Sequence, residues 1–170
     1  METRSNRVVS AIVENKPGVL HSVANLFRRR NFNIESITVG ATEQPEIARI
    51  TITVNADEKT LDQVVKQLDK LVDVVKVTEL NPKSIVTREL ALIKVHVPSA
   101  KERADVISCV HVFRGRVVDV SPESLMVEIT GTPDKIDAFL NLMRTSGVIE
   151  LARTGITALS RGPQAVNIEE

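Results

Sequence analysis

The chain repeats itself, and that repeat limits its fold more than any other feature. Val8–Glu14 is an apolar run that passes through Asn15-Lys16-Pro17-Gly18 into Leu20, Val23, Ala24 and Phe27. Those four residues are spaced i, i+3, i+4, i+7 and so share one helical face. Asn31-Phe32-Asn33 stops that helix, and Ile34–Ala41 reads as a strand. After a turn at Gln44-Pro45, Ala48, Ile50, Ile52 and Val54 alternate with Arg49, Thr51 and Thr53, the pattern of a strand with one wet face. Leu61, Val64, Val65, Leu68 and Leu71 form a second amphipathic helix, and Val74–Leu80 reads as a closing strand.

The order then returns. Ala91–Val97 alternates as a strand, and Pro98-Ser99 introduces a weaker helix to about Phe113. Val117–Val120 and Leu125–Ile129 flank a Ser121–Ser124 turn. Thr132-Pro133 starts a helix, with Thr132 placed to cap it and Pro133 suited to its first turn. Ile136, Phe139, Leu140 and Met143 give that helix its apolar face, and Val148–Arg153 is a last strand. Two strand-helix-strand-strand-helix-strand units predict an α+β chain of two tandem ferredoxin-like sandwiches. The expected organisation is a first domain over 1–80, a linker over 81–88, a second domain over 89–162 and a flexible tail over 163–170. Sandwiches of this size have thin cores and gain stability by self-association, so a homodimer is expected.

Composition removes several function classes. Lys plus Arg and Asp plus Glu balance at 22 each, without the basic excess a duplex-binding domain uses to displace counterions. Arg28-Arg29-Arg30 is the one local basic patch to set against the expectation of no nucleic-acid partner. The single cysteine, Cys109, cannot form an intrachain disulfide, and no apolar run approaches the roughly 20 residues that span a bilayer. A cytoplasmic protein with no membrane partner is expected. Four Phe, no Trp and no Tyr leave an aliphatic core, so any ligand must be gripped by backbone groups and small polar side chains.

The turn from Asn15 to Leu20 has the chemistry for such a grip. A helix start presents unpaired N–H groups and partial positive charge, which favour a carboxylate. Gly18 has no Cβ, so a ligand can approach its N–H, and Asn15 carries both a donor and an acceptor for a zwitterion. Ordinary turn and capping chemistry explains the same residues, and Asn33 is equally explicable as a helix stop.

The Glu14-Asn15-x-x-Gly18-x-Leu20 turn resembles that of ACT domains, a family of amino-acid-sensing regulatory modules. Arg29–Val39, Gln67–Val74, Phe113-Arg114-Gly115 and Arg153–Gly162 further resemble segments of the small subunit of acetohydroxyacid synthase, also called acetolactate synthase. The last two lie outside the ACT unit and single out this family. The resemblance implies a non-catalytic regulatory subunit in branched-chain amino acid biosynthesis. It would activate a catalytic large subunit and confer feedback inhibition by valine, leucine or isoleucine. The effector would bind where two ACT domains of a homodimer meet, at Asn15, Gly18, Val19 and Leu20 of one chain with Asn33 and Ile34 of the other. The resemblance places no cofactor in this subunit and puts thiamine diphosphate, magnesium and FAD on the catalytic one. His21 departs from the smaller hydroxyl residue many relatives carry. The resemblance also makes Arg114, Gly115 and Arg116 candidates for contact with the catalytic chain. An enzyme is the rival class, but no nucleophile has a base motif around it. His21, His96 and His111 have no metal-ligand spacing.

Overall fold

The computed structural model describes residues 5–163, so the expectation of a flexible tail falls, from residue 164 on, outside the described residues. The chain divides into two compact units, one of Met1–Val86 with Ile156–Glu170 and one of Thr87–Gly155. Among the described residues no helix is long and apolar enough to cross a membrane.

In the first unit the order is β1 (Ser5–Glu14), α1 (Val19–Arg30), β2 (Ser36–Ala41), β3 (Ile47–Ala56), α2 (Glu58–Leu68) and β4 (Val74–Leu80). The strands lie in the order β2-β3-β1-β4, all antiparallel. Period-two alternation sends Val9, Ala11 and Val13 of β1 and Ile50, Ile52 and Val54 of β3 to one face. There they meet Val19, Val23 and Phe27 of α1 and Leu61, Val64 and Leu68 of α2 in one buried core. Phe27 and Phe32 meet edge to face at 6.0 Å between ring centres, tying the exit of α1 to that core.

The second unit is built on β5 (Ile85–His96), α3 (Ala100–Val112), β6 (Arg116–Val120), β7 (Ser124–Gly131), α4 (Pro133–Met143) and β8 (Val148–Arg153). Its strand order, β6-β7-β5-β8, repeats that of the first sheet. Ile93 and Val95, Val127 and Ile129, and Ile136, Phe139 and Met143 form its core with Val106 and Val110. Pro133 takes the first turn of α4 as expected, whereas Thr132 occupies the cap position without a side-chain hydrogen bond. An ion-pair network anchored on the buried Glu89 fixes β8: Arg153 Nε donates to Glu89 at 2.6 Å and its Nη1 to the exposed Asp137 at 2.7 Å.

Two features depart from the sequence reading. The expected linker over 81–88 is loop only to Ser84, because β5 begins at Ile85. A short strand, β9 (Thr157–Ser160), pairs with β5, and the Arg161 N–H donates to the Ser84 carbonyl at 2.7 Å. Residues 156–162 therefore belong to the first unit rather than to a second domain running to 162. Ile156 and Ala158 pack with Val8, Leu80 and Ile85 in a small cluster on the sheet face away from the helices. The second departure follows from the first. Thr51 and Thr53 do not lie on a wet face: they are 2% and 3% exposed. The Thr38 hydroxyl donates to the Ile156 carbonyl at 3.0 Å, so the returning segment is bonded to that face.

Candidate effector site

The turn before α1 is pinned on three sides. The Glu14 N–H donates to the Asp73 carbonyl at 2.9 Å, and the Asn15 N–H donates to the Glu46 carbonyl at 2.7 Å. Lys16 reaches both acidic neighbours, pairing with Glu14 and with Asp73 at 2.7 Å. Hydrogen bonds to Asp73 and then Glu14 hold the Lys16 ammonium above the ordinary lysine value. The turn is thus held to the start of β4 and to the β2–β3 loop, while remaining exposed from Glu14 to Gly18.

Asn15 makes only part of the contribution its chemistry allows. Its side-chain amide donates one of its two N–H groups to the Pro45 carbonyl at 2.9 Å, which holds the side chain in place and leaves the amide oxygen and the second N–H to meet a ligand. The oxygen has the chemistry to accept from an ammonium, and the unpaired N–H groups of a helix start have the chemistry to hold a carboxylate. Gly18 is the N-cap of α1 with φ 94°, and no side chain caps this helix and no acid sits in its first turn. A Cβ built on Gly18 would meet nothing within 4 Å, so the space above it is open. The positive φ gives a second reason for glycine, because an L side chain there is strained whatever the space. Val19 is buried in the core and positions the turn, while Leu20 is 48% exposed. His21 is exposed beside it.

The other half of the expected site lies at the far end of α1. Asn31 caps that end with φ 55°, its N–H donating to Arg28 and Phe27 carbonyls. Arg28, Arg29 and Arg30 occupy the last turn, where cations complement the carbonyl end of the helix. This accounts for the basic patch without a nucleic acid. Asn33 is exposed, and its side chain donates to the Glu35 carboxylate at 2.7 Å. Ile34 is half-buried against the core. A helix of 12 residues separates the two halves. At 1.5 Å per residue that is about 18 Å, too far for one small amino acid to touch both in a single chain.

Of the three residues expected to contact a catalytic chain, Gly115 has a packing role, while Arg114 is exposed. Arg114 adopts φ 52°, and a Cβ on Gly115 would lie 2.2 Å from Ile129 Cδ1 and 2.9 Å from the Glu128 carbonyl oxygen. The Arg114-Gly115 turn is therefore fixed by the close approach of α3's exit to β7. Arg116 is exposed on β6. Cys109 is half-buried on α3, and His111 is exposed one helical step away. Among the described residues no three His, Cys, Asp or Glu side chains are grouped to hold a metal ion.

A family model described as "AHAS small subunit-like ACT domain" matches residues 9–76, and one described as "Small subunit of acetolactate synthase" matches residues 88–162. The chain is 57% identical to a probable acetolactate synthase small subunit of Methanothermobacter thermautotrophicus, over 94% of this chain and 95% of that one. The chain belongs to the acetolactate synthase small-subunit family. The corresponding protein of Mycolicibacterium smegmatis is 48% identical over 93% of this chain and 92% of its own. The crystal structure of the small subunit from Thermotoga maritima superposes with a TM-score of 0.88 at 48% identity, covering 94% of this chain and 99% of that one. Membership accounts for both halves of the repeat, the ACT unit and the sandwich that follows it. An ACT domain in a small subunit supports a regulatory role.

Proposed function

We propose that this chain is the regulatory subunit of an acetohydroxyacid synthase, raising the activity of a separate catalytic large subunit and making it sensitive to valine. The observation that carries the proposal is the pair of α1 ends. One end is an uncapped helix start over open space at Gly18, and the other presents Asn33 beyond the helix. A homodimer that brings the Gly18 end of one copy to the Asn33 end of the other completes a site that a single chain cannot. In that site the N–H groups of the first turn of α1 hold the effector carboxylate. The Asn15 amide oxygen, with Asn33 from the second copy, holds the ammonium. Leu20, with Ile34 from the second copy, meets the isopropyl group, while Val19 anchors the turn from within the core.

The chemistry of the synthase, with its thiamine diphosphate, magnesium and FAD, belongs to the catalytic subunit in this reading. This chain needs no cofactor of its own. An effector held between copies regulates by favouring one dimer arrangement over another, which it can do only through differential contacts. Calorimetric titration of the full chain with valine, leucine and isoleucine tests the effector. Activity of the catalytic subunit with and without this chain, and with and without valine, tests the regulation. Binding of a branched-chain amino acid that Asn33→Ala abolishes supports the site. Activity on pyruvate from this chain alone would contradict the assignment.

A further inference from the structure

The face of the first sheet away from its helices carries a charged group that the effector reading does not use. Arg49 of β3 is half-buried, and its Nη1 donates to the Ser10 hydroxyl at 2.9 Å. Among the described residues it forms no ion pair, although a guanidinium offers five donors and a part-buried cation is usually matched by an acid.

The space in front of Arg49 is shaped by its neighbours. Gly40 stands opposite Arg49 in the β2–β3 register, and a Cβ built there meets nothing within 4 Å. Thr38 and Thr51 form the next pair along the same two strands. Thr157 of β9 closes the other side, and the cavity so bounded has a volume of about 330 Å³. Glu43 also borders it, as an exposed carboxylate in the β2–β3 loop outside ion-pair distance of Arg49. A space of this size is at the small end of ligand pockets. Its lining sets one cationic fork and several threonines among apolar Val39, Ala41 and Leu159. The fork is the chemistry that recognises a carboxylate or phosphate group, and the apolar walls strengthen its field.

We infer that this cavity binds a small oxyanion, a carboxylate or phosphate group held by Arg49 between β2 and β9. None of its lining residues belongs to the effector turn or to Asn33–Ile34, so the inference stands apart from the valine site.

The test is an ¹⁵N NMR titration of the full chain with inorganic phosphate and, separately, with acetate, each at constant ionic strength set by chloride. Saturable shifts are expected at the Gly40 and Thr51 amides and at the Arg49 Nε–H, and the anion that saturates first identifies the class. Arg49→Gln weakens the response at least tenfold. Gly40→Glu abolishes it at an unchanged or raised melting temperature, because that position has no positive φ, has room for a side chain, and puts a carboxylate opposite Arg49. Shifts that fail to saturate, or that persist in both variants, overturn the inference. So would shifts at Arg49 that follow protein concentration with no added anion, because an acid of a second copy would then hold it.

Discussion

The two sandwiches start their first helices in opposite ways. In the second, Ser99 caps α3: the Glu102 N–H donates to Ser99 Oγ at 3.2 Å, and that hydroxyl donates to the Glu102 carboxylate at 2.7 Å. The hydroxyl satisfies one N–H of the helix start from within the chain, and the acid orients that hydroxyl. In the first, α1 starts at a left-handed Gly18 with neither a side-chain cap nor an acid in its first turn. Elsewhere in the first unit the usual solution is available, since Asp57 caps α2 at 2.7 Å from the Thr60 N–H. The same fold thus leaves one helix start open, at the position where an amino acid's carboxylate is expected, and closes the matching one. Folding stability alone favours the closed version by only a few tenths of a kcal/mol, since glycine is itself tolerated at a cap. In the proposed reading, the open start is left for the effector carboxylate.

The comparison is broken most severely at Leu20. Leu20→Asp puts a carboxylate in the first turn of α1, where it suits the helix but competes with the effector for the same N–H groups. Valine affinity is expected to fall by about a hundredfold, since like charges placed together cost several kcal/mol, while the melting temperature stays level or rises. Calorimetry beside a thermal melt checks both halves of that statement. A concurrent loss of stability would mean that the open start is structural.

Glycines sharpen the contrast with a smaller effect. Gly115→Ala drives a Cβ against the Glu128 backbone oxygen and Ile129, and is expected to cost about 1–3 kcal/mol in chemical denaturation. It should leave valine affinity unchanged. Smaller again is Ser99→Ala, which removes the cap of α3 and should cost about 1 kcal/mol without touching effector binding. If it weakened valine binding as Leu20→Asp does, the division of labour between the two helix starts would fail.

The least effect is electrostatic. The hydrogen bond from Lys94, and then its charge, hold the Glu150 carboxyl below its ordinary value. A carboxyl depressed in the folded state contributes stability above its unfolded pKa and loses it as pH falls through the folded pKa. Glu150→Gln should therefore differ from the parent in thermal melts near neutral pH, and the difference should vanish in acid below pH 4.5. Glu150 is exposed, so the pair adds little to stability.

The alternation of Ala48–Val54 was legible because local periodicity reports the buried face directly, whereas the spacing of Leu20–Phe27 found α1 but put the exposed Leu20 and Ala24 on its buried face in place of Val19. Val74–Leu80 was read to the residue for the same reason. β9 was not, since Thr157-Ala158-Leu159-Ser160 is too short for alternation to register and owes its pairing to β5, some seventy residues away. Missing that strand also hid the burial of Thr51 and Thr53 and the extension of β5 back to Ile85. At the site, the turn and its glycine could be read from residue types. What could not be read was that Pro45, 30 residues on, accepts from the Asn15 side chain and so fixes where that side chain sits. The open helix start also depends on an absence of side-chain contact, which no motif spells out.

The central claim is that the effector site is shared between two copies, and mixing two defective chains tests it. Leu20→Asp damages the Gly18 half and Asn33→Ala the other, so neither homodimer should bind valine. Random pairing of an equal mixture restores one intact site in each mixed dimer, about one site in four overall, with the affinity of the parent chain. Calorimetry should find that fraction. No recovery of binding in a mixture shown to exchange subunits would contradict the account.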